Sequence, residues 1–164
     1  YKLDAIQNDF HTQSIPLRQI AKDSINELKC SFIERGIFPK LDVEEHLTVY
    51  SDPKWLRFVL HQLLTNALKY SDTGKTIAVR AYRTESSTVL SVEDEGCGIQ
   101  PEDLPRIFDL FFTGQNVRLR GESTGLGLYM VKQILEYLGH SIQVESVVEQ
   151  GSKFQIRFEQ RNTG

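Results

Sequence analysis

Three segments of the sequence carry residues able to bind a charged ligand. In the first, Gln62, Asn66 and Lys69 recur at i, i+4 and i+7, so a helix would place them on one face. The amide oxygen of Asn66 suits a hard cation, and Lys69 offers a point charge for phosphate. Taken alone, the set also fits the solvated polar edge of an ordinary amphipathic helix.

The second segment, residues 94–99, directly follows an apolar stretch. Gly96 and Gly98 permit a close backbone approach, and Asp94 can accept a hydrogen bond from the exocyclic amine of a flat ring. A plain Asp-Glu-Gly turn is the alternative. Cys97 fits a small packed residue better than a reactive thiol.

The third segment is Gly121 followed by Gly-Leu-Gly-Leu at residues 125–128, where helical periodicity begins. Backbone amides and the helix dipole at such an entry favour anions, phosphate above all. The spacing matches neither the dinucleotide fingerprint nor the P-loop, and a lone Gly-x-Gly often only caps a helix.

Apolar periodicity predicts the elements that must position these segments. Helices are expected from Pro16 to Gly36, from an Asp52 cap with Pro53 to about Tyr70, and over residues 125–138; residues 99–112 are at most briefly helical. Strands are expected at residues 38–43, 47–50, 76–83, 88–93, 142–146 and 153–158, the first two joined by an acidic turn. Three helices and about six strands predict an α/β fold, a two-layer sandwich of a mixed sheet against three helices.

Composition limits the class of protein. The 164 residues are 40% hydrophobic and 25% charged, as in an ordinary globular domain. A formal net charge of -3 argues against a domain that grips nucleic acid. Cys30 and Cys97 lie far apart and predict reduced thiols. The reduced thiols predict a cytoplasmic setting. We find neither a signal-peptide pattern nor an apolar run long enough for a bilayer span, so a soluble domain is expected.

In order and spacing, these motifs resemble the catalytic ATP-binding domain of sensor histidine kinases, in the GHKL superfamily that also holds gyrase, the heat-shock chaperone and MutL-type ATPases. The resemblance covers about residues 17–158. The matching boxes are the asparagine box at 63–70, the first glycine box at 94–99, the phenylalanine box at 108–112, the second glycine box at 125–128 and the terminal glycine turn at 151–154.

The resemblance implies a Bergerat-type fold and an ATP site. Asp94 would bind the adenine amine, Asn66 would coordinate Mg²⁺, and Lys69 and Tyr70 would contact phosphate and nucleoside, with Asn66 and Lys69 as the catalytic residues. The implied nucleotide-binding set is Asn66, Lys69, Tyr70, Asp94, Gly96, Gly98, Ile99, Phe112, Thr113, Arg118, Arg120, Thr124, Gly125, Leu126, Gly127 and Leu128.

Residues 113–124 correspond to the mobile lid of that family. Arg118 or Arg120 could reach phosphate there, or both could simply be solvated. Residues 112–116, followed by residues 122–125, are similar to kinases that sense peptide antibiotics beside a transporter.

Two departures from the family pattern bear on mechanism. ATP-hydrolysing relatives carry a glutamate as general base one turn before the metal asparagine, whereas Gln62 cannot accept a proton there. His11 stands at the spacing of the phosphoacceptor box, but Thr12 replaces its acidic residue. Only 54 residues separate His11 from Asn66, too few for two long helices as well as the elements already predicted. We therefore expect His11 to be a bystander.

The prediction is a histidine kinase catalytic domain that transfers the γ-phosphoryl of Mg-ATP to a histidine elsewhere. An ATP-hydrolysing member and a non-catalytic nucleotide-sensing module are the alternatives. Residues 1–14 would connect to preceding dimerisation and phosphoacceptor helices, residues 15–160 would form the domain, and residues 161–164 a disordered tail. Expected partners are that phosphoacceptor domain, a response regulator and, in the parent protein, a peptide-antibiotic transporter, with no nucleic acid. The parent would be a bacterial plasma-membrane sensor.

Overall fold

The computed structural model describes residues 10–110, 112 and 126–159, which form four α-helices and seven strands. The helices are α1 (Leu17–Glu27), α2 (Lys29–Arg35), α3 (Pro53–Tyr70) and α4 (Leu126–Tyr137). The strands are β1 (Gln13–Pro16), β2 (Phe38–Asp42), β3 (Thr48–Ser51), β4 (Thr76–Arg83), β5 (Ser87–Asp94), β6 (Ser141–Val147) and β7 (Gly151–Glu159). A 3₁₀ helix covers Leu104–Arg106. None of the helices within these ranges has the length and hydropathy needed to cross a membrane.

Five strands form one mixed sheet in the order β2-β4-β5-β7-β6. Strand β2 runs parallel to β4, and the remaining neighbours are antiparallel. The central strand, β5, is buried from Ser87 to Val92. Helices α1, α3 and α4 pack together and cover the sheet, which confirms the predicted two-layer α/β fold.

Helix α3 forms where its cap and its apolar stripe predict it. The Asp52 carboxylate accepts hydrogen bonds from the backbone amides of Lys54 and Trp55, and Pro53 occupies the first turn. The predicted stripe of Leu56, Leu60, Leu63 and Ala67 is buried in the core. It packs there in one cluster with apolar residues of the sheet and of α4, including Leu90, Ile134 and Ile156. This packing leaves the polar face of α3 at the margin of the core.

The predictions for the first third of the chain need correction. The predicted first helix is interrupted at Leu28, whose φ of -103° and ψ of 13° separate α1 from α2. Strands β2 and β3 are present as predicted, and they lie in different sheets, because β2 pairs with β4 and β3 pairs with β1, a strand that was not predicted. The predicted counts of three helices and six strands are each one short in the part of the chain that is described. Alternation reveals a strand but not its partner, and apolar spacing continues through Leu28.

The segment before α1 is docked onto the domain. Strand β1 pairs Gln13 with Ser51, and the ring of Phe10 lies 5.8 Å from that of Trp55 and 6.0 Å from that of Tyr137. The exposed His11 donates its backbone N–H to the carboxylate of Asp52. The domain boundaries stay a prediction, because residues 1–9 and 160–164 lie outside the described residues.

Candidate functional site

Helix α3 presents the first candidate segment along one half-buried face. Gln62, Asn66 and Lys69 are all partly exposed, whereas Leu63 and Ala67 between them are buried. The helix ends at Tyr70, and the Lys69 ammonium lies 6.0 Å from the centre of the Tyr70 ring. The predicted shared face is therefore present, at the end of a long and well-capped helix.

The loop after β5 is fixed against this end of α3. The backbone N–H of Cys97 donates to the Tyr70 carbonyl at 3.2 Å. A Cβ on Gly96 would lie 2.3 Å from the same carbonyl oxygen, so a larger residue does not fit without backbone movement. The glycine box thus joins the asparagine helix through a close backbone approach, as its glycines predict.

Asp94 is held by two amides. Its Oδ1 accepts the backbone N–H of Gly96 at 2.9 Å and that of Ser152 at 3.3 Å. Burial raises the pKa of Asp94 from 3.8 to about 6, while the two hydrogen bonds act in the opposite direction. At neutral pH the group is therefore mostly an anionic acceptor, as recognition of an exocyclic amine requires.

The turn between β6 and β7 braces the same loop from the other side. The Glu149 N–H donates to the Cys97 carbonyl at 2.7 Å, and the Ile99 N–H donates to Ser146 Oγ at 2.8 Å. Gly98 has a φ of +73°, and a Cβ there would lie 2.3 Å from the Val147 carbonyl oxygen. Only glycine meets both conditions easily.

Sequence reasoning gave no role to Ser146 and Ser152. The terminal glycine turn was recognised, but its contact with Asp94 depends on the pairing of β5 with β7, which places Ser152 opposite Asp94. This pairing joins strands that are far apart in the sequence, so no local pattern pointed to the contact between Ser152 and Asp94. Ser146 stands opposite Ser152 in the pair of adjacent strands β6 and β7, so the register of that hairpin could have indicated their contact.

The first turn of α4 lies against α3. A Cβ on Gly127 would lie 2.4 Å from the side-chain Oε1 of Gln62, one helical turn before Asn66. Leu128, Ile99 and Phe112 are half-buried and pack against the core. The second glycine box and the asparagine helix are thus neighbours.

Several residues of the predicted set cannot be placed. Thr113, Arg118, Arg120, Thr124 and Gly125 lie outside the described residues, and Leu126 is described only as the first backbone position of α4. Among the residues that are described, no group of three or more His, Cys, Asp or Glu side chains could hold a metal ion. An amide oxygen and phosphate oxygens are also ligands that Mg²⁺ accepts.

The mixed sheet thus carries the end of α3, an acidic glycine loop braced against it, and α4 with Gly127 in its first turn. Residues 51–162 match the histidine kinase-, DNA gyrase B- and HSP90-like ATPase family, and the chain belongs to that family. Use of ATP follows from this membership.

Several of the similar proteins with assigned names are sensor histidine kinases. The chain is 36% identical to sensor histidine kinase YxdK of Bacillus subtilis, an alignment that covers 96% of this chain and 49% of YxdK. It is 38% identical to sensor histidine kinase GraS of Staphylococcus epidermidis, covering 98% of this chain and 46% of GraS. The solved structure of Acinetobacter baumannii histidine kinase AdeS superposes with a TM-score of 0.78 at 26% identity, over 98% of this chain and 74% of that one.

The chain spans about half the length of the curated relatives it matches. It corresponds to the catalytic ATP-binding domain of sensor histidine kinases, which confirms the resemblance found in its motifs.

Proposed function

We propose that this domain binds Mg-ATP and transfers its γ-phosphoryl group to a histidine on a separate phosphoacceptor domain of the same parent kinase. The observation that carries the proposal is the position of Asp94. Its carboxylate accepts the Gly96 N–H of the loop and the Ser152 N–H of β7, and the loop is hydrogen-bonded through Cys97 to the end of the helix that bears Asn66 and Lys69.

Asp94 and the glycine loop that follows it would recognise adenine. A carboxylate oxygen accepts the exocyclic amine of adenine, and a guanine carbonyl at the same position would be repelled. Gly96 and Gly98 let the loop pack directly on the Tyr70 and Val147 carbonyls, which holds it beside the space where the flat base would lie. Tyr70 and Ile99 flank this loop and would contact the nucleoside.

The end of α3 and the start of α4 would bind the phosphates. Lys69 supplies a positive charge, and the backbone amides of the first turn of α4, at Leu126 and Gly127, favour phosphate oxygens. The Asn66 amide oxygen fits a hard cation on a face that is half open to solvent, and Mg²⁺ bound there would neutralise developing phosphate charge. Contacts from Thr113, Arg118, Arg120, Thr124 and Gly125, together with Phe112 and Leu128 at the ends of the lid, remain part of this proposal.

The residue at position 62 favours transfer over hydrolysis. An amide cannot take a proton from water, so the acceptor must supply its own base. The domain then contributes mainly positioning and charge stabilisation. The two alternatives, an ATP-hydrolysing enzyme and a non-catalytic nucleotide-sensing module, are less favoured because the relatives reported above are named histidine kinases.

The parent protein would be a two-component sensor. We expect a preceding dimerisation and phosphoacceptor domain, a response regulator that takes the phosphoryl group, and a cytoplasmic position for this domain below a bacterial plasma membrane. The similarity to kinases that sense peptide antibiotics extends the proposal to a transporter partner.

Nucleotide titration with and without Mg²⁺ tests the binding part of the proposal. We expect calorimetry to detect ATP binding that strengthens when Mg²⁺ is added, and weaker binding of GTP. Equal affinity for ATP and GTP would contradict the role given to Asp94. No binding of either nucleotide would contradict the function itself.

A further inference from the structure

The hydroxyl of Ser146 on β6 joins three parts of the site. Its Oγ accepts the Ile99 N–H at 2.8 Å, lies 2.8 Å from Ser152 Oγ and donates to the Gly151 carbonyl at 3.0 Å. A serine hydroxyl has one donor and two acceptor positions. All three are satisfied if Ser152 donates to Ser146, so this half-buried hydroxyl is fully used.

These contacts connect both ends of the loop that carries Gly96 and Gly98. Ser146 stands directly opposite Ser152 in the antiparallel pair of β6 and β7, so the two hydroxyls share one face of the sheet. The Ser152 backbone N–H holds Asp94 at the start of the loop, and Ser146 itself holds Ile99 at its end.

We propose that Ser146 is a positioning residue for adenine, which acts through Ile99 and Ser152 to fix the loop and the direction of the Asp94 carboxylate. The inference deepens the proposed function and rests on it for the identity of the ligand. Ser146 need not touch the nucleotide for this role.

The remaining contacts of the loop explain why the effect should be local. The Glu149 N–H donates to the Cys97 carbonyl and Gly98 packs on Val147, and neither contact uses the Ser146 hydroxyl. The loop would stay in place at its centre but become less constrained at its two ends. Adenine binding should then weaken, whereas phosphate binding at α3 and α4 should not.

The test compares Ser146→Ala and Ser146→Thr with wild type. Hydrogen exchange of the Ile99 amide is measured without nucleotide, and calorimetry measures the affinities for adenosine and for Mg²⁺-tripolyphosphate. Because Ser146→Ala loses one hydrogen bond, we expect the exchange rate of the Ile99 amide and the Kd for adenosine each to rise roughly three- to tenfold. The tripolyphosphate Kd should stay within about twofold. Ser146→Thr keeps the hydroxyl and should restore both values.

Ser24→Ala is the matched control. It removes a hydroxyl that likewise donates to a backbone carbonyl, that of Ile20 at 2.8 Å. Ser24 lies in α1, which packs near β2 at the opposite edge of the sheet from β6. Neither Ile99 exchange nor adenosine affinity should change in this variant.

Two results would overturn the inference. One is unchanged Ile99 exchange or adenosine affinity in folded Ser146→Ala, and the other is an equal loss of adenosine and tripolyphosphate binding. If Ser146→Ala does not fold, Ser146→Cys takes its place in the test, because cysteine has a similar volume but is only a weak hydrogen-bond acceptor. Wild-type Ile99 exchange and adenosine affinity in Ser146→Cys would also overturn the inference. Failure of wild type to bind adenosine would instead contradict the proposed function, and the Ile99 amide would still report on the Ser146 contact.

Discussion

Gly127 on α4 lies directly against the side chain of Gln62 on α3, with 2.4 Å between Gln62 Oε1 and the place where a Cβ on residue 127 would be. That oxygen is the end of a flexible side chain. The equally short approach at Gly96 is to a backbone carbonyl, that of Tyr70. Gly96 therefore cannot be replaced without backbone movement, whereas a larger residue at position 127 needs only a movement of the Gln62 side chain.

Alanine substitutions should separate them. Gly96→Ala forces the backbone of the loop or of α3 to move, which predicts a loss of about 1–3 kcal/mol in the free energy of unfolding. Gly127→Ala requires only rotation of Gln62, and alanine favours a helix over glycine by up to about 1 kcal/mol, so stability should hold or rise. Urea unfolding measures both. Equal losses would contradict the packing described here.

Asp94→Asn should stabilise the domain while weakening its ligand binding. The pKa of Asp94 is higher in the fold than in the unfolded chain, so the folded state binds the proton more tightly. The free energy of unfolding therefore falls as pH rises from 3.8 to about 6 and stays lower above it. At pH 7 the neutral amide avoids this cost, and we expect a gain on the order of 1 kcal/mol after solvent screening.

The same substitution should lower ATP affinity roughly ten- to a hundredfold at pH 7, because a charge-assisted hydrogen bond is lost. In wild type, affinity should also fall as pH drops through about 6. This pH dependence should be absent in Asp94→Asn. Calorimetry at several pH values measures both effects, and equal affinities at pH 7 would remove Asp94 from the site.

The stability of wild type and of Asp94→Asn must be compared at the same pH, because His140 also makes stability depend on pH. Burial lowers its pKa from 6.5 to about 4, and its Nε2 lies 2.8 Å from Ser51 Oγ. The unfolded chain therefore takes up the proton first, so stability is lost as pH falls from 6.5 toward about 4. This slope opposes that of Asp94, and the difference between wild type and Asp94→Asn isolates the carboxyl group.

Asn66→Ala should reduce the part of ATP binding that depends on Mg²⁺ and leave adenosine binding unchanged. The reason is that its side chain is assigned to the cation and not to the base. Titrations of ATP and adenosine, each with and without Mg²⁺, measure this. A similar weakening of adenosine binding would contradict the assignment.

Phe10→Ala tests whether the segment before α1 is part of the folded unit. Its ring packs edge-on against Trp55, so removing it should cost about 1–3 kcal/mol of unfolding free energy. Phe38→Ala is the control, because Phe38 is 61% exposed and should change stability by less than about 0.5 kcal/mol. Equal small effects would mean that Phe10 is not anchored in solution.

Local signals explain which parts of the fold were predictable. Asp52 with Pro53 marks the start of α3 because capping is a contact between near neighbours, and Gly36 ends α2 with a φ of +64° for the same reason. The pairing of β1 with β3 joins segments far apart in sequence, and no local pattern records it. In the site, motif spacing pointed to Asp94 and Asn66, whereas the contact between Ser146 and the Ile99 amide joins residues 47 positions apart and has no local signal.

Phosphoryl transfer to a separate acceptor domain tests the central claim most directly. The chain is incubated with γ-labelled Mg-ATP and the phosphoacceptor domain of its parent kinase, and both proteins are assayed for acid-labile label. The account predicts label on the acceptor, none on this chain, no change in His11→Gln and a large loss in Asp94→Asn and Asn66→Ala. Label on His11, or release of free phosphate without labelled acceptor, would contradict it.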